Sequence, residues 1–381
     1  MSPPPHLIFT VTNDLTFDQR MQRICGSLAA AGYRVTLVGR QLPYSRPLAA
    51  EAWQQVRLPV AATTGKLFYW QYNKALYKWL MHHLAGTNTI KTAICAIDLD
   101  TIVPVYVASL RTGALRVYDA HELFTELTEV KRRPLIYQAW RLVERLMVPR
   151  FERGYTVNSF IAGELQRRYG VQYAVVRNMP LPASGAIADG EWPPELPPLP
   201  DRFLLYQGAV NEGRAFDKLI PAMREVVLPL VVAGDGNYMQ QLRQLVQAHQ
   251  LEGKVILLGM QPPTLLRYIT RRAHAGITLF DNSGLNQYYS LANRFFDYVQ
   301  AGIPQLCNDY PEYRRLCEQF AVALLLQQLE PQHIAAALNK LCLDDVLHRH
   351  LKQQAIAASR QWHWQQEEKQ LLACWYRWMP L

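Results

Sequence analysis

The chain has 381 residues, half of them hydrophobic, and its 40 Lys and Arg exceed its 31 Asp and Glu for a net charge of +9. That length suits two domains of ordinary size, and with no apolar run of about 20 residues a transmembrane helix is excluded. The basic balance points to an anionic partner, a membrane surface or a nucleotide, and no recognisable nucleic-acid-binding module supports a nucleic acid.

The start, Met1-Ser-Pro-Pro-Pro-His6, lacks a charged region followed by a long apolar one, so no signal peptide is expected. Cys25, Cys95, Cys307, Cys317, Cys342 and Cys374 are scattered without C-x-x-C spacing. Buried, reduced thiols in a cytoplasmic protein are the expectation.

In chain order, short apolar runs at 7–11, 35–38, 93–97, 116–118, 155–157 and 174–176 predict buried parallel strands. Helical patterns at 17–31, 67–84 and 135–150 lie between them. After Pro180 the chain turns to linker chemistry, as in GEWPPELPPLPD. Runs at 203–206, 230–233, 255–258, 276–279 and 323–326 then restart the alternation.

This pattern predicts an α/β protein of two doubly wound, Rossmann-like domains facing a cleft. The expected boundaries are a first domain over 1–184, a linker over 185–201 and a second domain over 202–360, with a final segment over 361–381. Ligands in such folds sit at the carboxyl ends of strands, and a cleft between domains is the default site. The last segment, WHWQQEEKQLLACWYRWM at 362–379, sets aromatic and leucine side chains on one helical face.

Several stretches carry candidate chemistry. Ile97-Asp-Leu-Asp100 holds a D-x-D after a strand; Asp98 reads as a cleft residue and Asp100 as a cap for a helix beginning near Thr101. No His or Cys spacing suggests zinc, and no metal is expected. The run from Val117 to Phe124, VYDAHELF, places Asp119, His121 and Glu122 at a strand's carboxyl end. A histidine beside carboxylates can orient a hydroxyl or take a proton near neutral pH, and a satisfied loop cluster is the plainer alternative.

The stretch at 285–304, LNQYYSLANRFFDYVQAGIP, joins a polar turn to a short helix. Ser290, Asn293 and Arg294 would lie where free backbone N–H groups and the positive helix end meet a strand's carboxyl end, a place suited to an anion. Asp297, one turn on, could accept hydrogen bonds from sugar hydroxyls. A capped helix with an exposed arginine explains the same residues.

This stretch resembles the nucleotide-sugar site of family 4 glycosyltransferases, retaining enzymes of the two-domain GT-B type. A subgroup carries S-L-P-N-K-x-F-E-Y followed by A-G-I-P, against S-L-A-N-R-F-F-D-Y and A-G-I-P here. Ala292, Arg294 and Asp297 replace Pro, Lys and Glu, and Tyr289 stands where the broader family has a further Glu.

The resemblance implies that Arg294 binds the donor diphosphate and Asp297 its ribose. It extends to Tyr206-Gln-Gly-Ala-Val-Asn-Glu-Gly-Arg-Ala215, where Gly208 would keep backbone close to the donor and Arg214 would neutralise the diphosphate. Ala215 replaces the usual Gly, and Lys218 lies one turn further. The Gly234-Asp-Gly236 turn is read mainly as a chain reversal, with Gly234 on the donor side. Gln261 falls in the loop where the donor base rests. On the acceptor side, Asn13, Asp14, Asp18 and Arg20 match the subgroup's N-D-L-x-x-D-Q-R pattern, where the broader family has a Gly-Gly turn. Helix capping by Asp14 or Asp18 fits as well. The D-x-H-E-like segment puts His121 near the transferred sugar, and the final helix is implied to return to the first domain.

The expected activity is transfer of a sugar from a nucleoside-diphosphate donor to a glycan or lipid-linked acceptor, with retention and without a cofactor or obligatory metal. The alternatives are a GT-B nucleotide-sugar epimerase or hydrolase and a catalytically weak scaffold subunit. The basic, aromatic segment at 66–83, with Arg132, Arg133, Arg141, Arg145, Arg150 and Arg153, suits an anionic membrane surface. The expected location is therefore cytoplasmic, at the periphery of a membrane. An aromatic stripe facing the core is the alternative. Donor sugar, base, acceptor, linkage, pathway and oligomeric state are not legible.

Overall fold

The computed structural model describes residues 3–16, 18–85, 91–182 and 193–381. By internal contacts the chain divides into a first unit, 1–178 with 367–381, and a second unit, 179–366. The changes of unit fall at 178/179, before the expected limit of 184, and at 366/367, after the expected start of the final segment at 361. Of the expected linker, 183–192 lie outside the described residues, and Phe17 at the start of the first expected helix does too.

In the first unit the described strands are β1 (His6–Thr10), β2 (Arg34–Gln41), β3 (Gln54–Pro59), β4 (Thr92–Ile97), β5 (Leu115–Ala120), β6 (Gly154–Thr156) and β7 (Ala174–Val175). They form one parallel sheet in the order β3-β2-β1-β4-β5-β6-β7. Leu7, Ile8 and Phe9 of the central β1 have no exposed surface, as expected for a strand covered on both faces. Helices Gln19–Ala30, Gly65–Leu84, Ile102–Thr112, Pro134–Met147 and Ser159–Tyr169 connect the strands.

The last helix, Trp364–Trp378, lies in the first unit from Glu367 onward. Trp375 is fully buried with its ring 5.6 Å from Phe9, Trp378 stacks on Tyr155, and the Tyr33 hydroxyl donates to the Met379 carbonyl at 2.8 Å. Those contacts account for the aromatic face of that segment.

In the second unit β8 (Leu204–Gln207), β9 (Leu230–Ala233), β10 (Val255–Gly259), β11 (Ala275–Thr278), β12 (Gln305–Asn308) and β13 (Ala323–Leu326) form a parallel sheet ordered β10-β9-β8-β11-β12-β13. Each sheet reverses direction of winding once, between β1 and β4 and between β8 and β11. Loops diverge at these points and leave room for a ligand at the carboxyl ends of the strands.

Two strands escape the apolar-run criterion. β3, QQVRLP, is an edge strand with one buried residue, so it needs no apolar run. β12, QLCN, carries Gln305 and Asn308 fully inside, but both are satisfied. Gln305 accepts from the Thr278 hydroxyl and donates to the Phe295 carbonyl, while Asn308 exchanges two hydrogen bonds with the Phe280 backbone. Buried amides are tolerated when paired, and here they tie β12 to the end of β11 and to the helix that precedes it, Asn293–Ala301.

Candidate functional site

Helix Asn293–Ala301 is fixed by its second turn. Gly276 of β11 has no side chain, and a Cβ there would lie 2.4 Å from the Tyr298 ring. The ring therefore lies flat on the strand. Its hydroxyl donates to the Leu205 carbonyl at 2.9 Å and accepts from the Gln207 N–H at 3.2 Å. This anchors the helix to the end of β8, and Gly302, in a left-handed conformation (φ 68°), ends it.

The anchor sets Arg294 inside the protein at the winding reversal. Its side chain is 7% exposed, with the guanidinium carbon 4.4 Å from the Tyr206 ring centre and 5.0 Å from that of Phe280. One terminal nitrogen donates to the Tyr206 hydroxyl and the Gln207 carbonyl, at 3.1 and 3.2 Å. Nε and the other terminal nitrogen are buried with no acceptor, and no carboxylate pairs with the group among the described residues. A buried guanidinium with unsatisfied N–H groups has the chemistry that suits an anion.

Arg214 approaches the same place, its guanidinium 4.6 Å from the Phe280 ring centre. It sits between Gly213 (φ 84°) and Ala215 (φ 53°), so Ala215 keeps the left-handed conformation that glycine would supply. Gly208 (φ 105°) lies beneath Arg294, where a Cβ would come 3.6 Å from the guanidinium. Gly234 holds Gly208 in place: a Cβ on Gly234 would overlap the Gly208 carbonyl oxygen at 1.8 Å. Asp297 accepts from the Gln207 amide at 3.0 Å, and the Thr270 hydroxyl steadies that amide from the other side at 2.7 Å.

Ser290 precedes the helix, half-buried, and Asn293 is exposed at its first turn. Gln261 donates to the Leu258 carbonyl after β10. Lys218 is exposed and faces Asp217 at 3.4 Å. The aromatic floor of Tyr206 and Phe280, and the Gln207 amide, were not singled out in the sequence. Their signal was position alone, at the last residue of β8 and just past β11.

In the first unit β1, β4 and β5 bring a second charged cluster together. Arg20 is 4% exposed and pairs with the fully buried Asp119 at 2.9 Å, while its other terminal nitrogen donates to the Val176 carbonyl. His121 Nε2 lies 2.9 Å from Asp119, and Nδ1 lies 3.8 Å from Asp98. Asp98 takes a left-handed conformation (φ 52°) and accepts the His121 backbone N–H at 2.8 Å.

Burial is the largest single influence on His121 and lowers its pKa. The Asp119 and Asp98 carboxylates together outweigh it and lift the imidazole to about 9. The two carboxylates favour the charged, donating form of the ring at neutral pH, while Arg20 Nε lies 3.0 Å from the same Nε2. Burial would raise Asp119, but Arg20 and His121 hold it below the usual carboxylate range; Asp98 is pushed up, chiefly by burial.

Asp18 caps helix Gln19–Ala30 by accepting from the Met21 N–H, and Asn13 donates to Asp18 at 2.6 Å. Asp14 accepts from Thr16 and Ser45. Glu122 follows His121, partly exposed. Asp100 does not cap the helix after it, which begins with no side-chain cap; it accepts from the Thr12 hydroxyl at 2.9 Å. Asp98 and Asp100 thus serve different neighbours. Among the described residues no group of three or more His, Cys, Asp or Glu is placed to hold a metal ion.

Comparison with known proteins gives a family match within the second unit. Residues 191–358 match the family model for glycosyl transferases group 1. No curated protein sequence matches the chain. Among solved structures, sucrose-phosphate synthase from Thermosynechococcus elongatus superposes with a TM-score of 0.76 at 15% identity, covering 98% of this chain and 99% of that one. Anabaena HepE in complex with UDP and glucose gives 0.72 at 14% identity, covering 97% and 98%. WaaG, a glycosyltransferase involved in lipopolysaccharide biosynthesis, gives 0.71 at 13% identity with the same coverage. The two parallel-sheet α/β units are those of the GT-B glycosyltransferase fold.

Proposed function

We propose that the chain is a glycosyltransferase moving a sugar from a nucleoside-diphosphate donor to a glycan or lipid-linked acceptor, with retention and without an obligatory metal. The observation that carries this reading is Arg294, a buried guanidinium with two unsatisfied donors at the winding reversal of the second sheet. Beside Arg214 it offers a diphosphate the charge balance that a metal ion gives elsewhere. Asp297 would receive the ribose hydroxyls, with Gly208, Gly234, Gln261, Ser290 and Asn293 lining the donor's path. The UDP bound in the HepE structure makes a uridine nucleotide the first donor to try.

In the first unit, His121 would donate from its charged ring to a sugar hydroxyl. Asp119 and Arg20 position it, and Glu122, Asp98, Asn13 and Asp18 lie on the acceptor side. Helix Pro134–Met147 leaves Leu135, Ile136, Leu142 and Leu146 exposed beside Arg132, Arg133 and Arg145. That face suits peripheral attachment to an anionic membrane from the cytoplasmic side. Among the described residues no helix is long and apolar enough to cross a membrane.

The test is incubation with a panel of nucleoside-diphosphate sugars and glycan or lipid-linked acceptors, with and without EDTA. The readouts are nucleotide release and the anomeric configuration of the product. Acceptor-dependent release with retention, unaffected by EDTA, is expected. Release of free sugar or an epimer without any acceptor contradicts the transferase reading.

A further inference from the structure

Arg294 and Asp297 lie three residues apart on one helix, the spacing at which opposite charges ordinarily pair. Here they do not hydrogen-bond to each other. Arg294 donates to the Tyr206 hydroxyl and the Gln207 carbonyl, and Asp297 accepts from the Gln207 side-chain amide at 3.0 Å. Gln207 therefore holds both charged groups, one through its backbone and one through its side chain. It is 3% exposed, and its own N–H is fixed on the Tyr298 hydroxyl.

The Gln207 amide is in turn oriented from behind. Thr270, equally buried on helix Pro263–Arg272, places its hydroxyl 2.7 Å from Gln207 Oε1 and 2.6 Å from the Leu266 carbonyl. That hydroxyl has one proton to give. An ionised Asp297 can only accept, so the amide turns its NH2 toward the carboxylate and its oxygen toward Thr270. If the Thr270 proton went to Leu266, two oxygens would face each other at 2.7 Å with no proton between them. The three side chains thus have one consistent arrangement: Thr270 donates to Gln207, and Gln207 donates to Asp297.

A carboxylate recognises hydroxyls only when it is held in the right direction, and one beside a buried guanidinium is otherwise drawn to that charge. We propose that Gln207, steadied by Thr270, is a positioning residue that keeps Asp297 off Arg294 and turned to the nucleotide's ribose. It thereby sets the preference for a ribonucleotide over one lacking the sugar hydroxyls. This rests on the reading of Asp297 as the ribose ligand and adds the two buried residues that hold it in place.

Titration calorimetry on the full chain tests this, with UDP, GDP and ADP and the 2′,3′-dideoxy form of each, followed on whichever pair binds the wild type. The wild type should prefer the ribo form at least about tenfold, the gain expected from hydrogen bonds to a charged group. Asp297→Ala should bind both forms equally. Gln207→Met keeps the length of the side chain without its amide. It should lose most of the preference by weakening the ribo form alone, with the dideoxy form bound as before. Thr270→Val should lose part of the preference, and Thr270→Ser, which keeps the hydroxyl, should restore it.

A merely structural role would weaken both forms alike and leave their ratio intact; that result in Gln207→Met and Thr270→Val overturns the proposal. So does full preference in both variants. If Asp297→Ala abolishes the preference in either case, the ribose reading stands without this one. No preference in the wild type, a preference that survives Asp297→Ala, or no binding of any of the nucleotides removes the ribose reading and this proposal with it.

Discussion

Arg294 carries its charge in a buried, largely aromatic setting. An uncompensated buried charge is worth several kcal/mol of destabilisation. The two aromatic faces return roughly 0.5–2 kcal/mol each and the two hydrogen bonds about 1 kcal/mol each, which offsets much of it. Arg294→Met keeps the stem between Tyr206 and Phe280 and removes the charge. Its apo melting temperature should match or exceed that of the wild type, while nucleotide affinity falls at least about 30-fold, or ~2 kcal/mol. A drop of several degrees without loss of binding would mark the arginine as purely structural.

His121 yields a pH prediction with a definite sign. Its folded pKa of about 9 lies above the ordinary 6.5, so the stability it contributes is full below pH 6.5 and is lost as pH rises through 9. Urea midpoints measured across pH 6.5–9 should decline in the wild type, and the decline should flatten in His121→Gln. Equal slopes would mean that the ring is neutral in the folded protein.

At the scale of elements, glycines without side-chain chemistry set the geometry. Gly276 admits the Tyr298 ring, and Gly234 admits the Gly208 carbonyl. Gly234→Ala places a Cβ inside that oxygen's radius and should cost at least about 2 kcal/mol, read as a loss of thermal midpoint. A midpoint within one degree of wild type would show that the two loops can separate freely.

Much at this scale was legible in the sequence. Strands covered on both faces announce themselves as apolar runs, so β1, β4, β8 and β9 stand out. β3 does not, because an edge strand can be polar, and β12 does not, because its buried amides are satisfied only by residues distant in sequence. The same logic divides the site. Arg294 and Arg214 carry their charge in the sequence, whereas the Tyr206 and Phe280 floor depends on which strand ends meet. Asp100 read as a helix cap from spacing alone, and only the tertiary position of Thr12 and Tyr69 shows otherwise.

At the scale of the whole molecule, the two units each have their own sheet and core, and the chain enters the first unit twice. Residues from Glu367 onward complete it: Trp375 packs under Phe9, and Glu367 accepts from the Arg177 N–H at 2.7 Å. Trp375→Ala should destabilise the first unit by about 3–5 kcal/mol. Units with separate cores need not melt together. In calorimetry the substitution should lower the transition of the first unit, whereas a bound nucleotide should raise that of the second. The reverse assignment would contradict this division of roles.

The central claim is that the buried guanidinium of Arg294 receives a diphosphate. Titration calorimetry of UDP, UMP and uridine, with EDTA present, into wild type and Arg294→Met tests it most directly. The account predicts that UDP binds the wild type more tightly than UMP or uridine, and that this advantage disappears in the variant. UDP bound equally well by both proteins, or no uridine or other nucleoside diphosphate bound by the wild type, would contradict it.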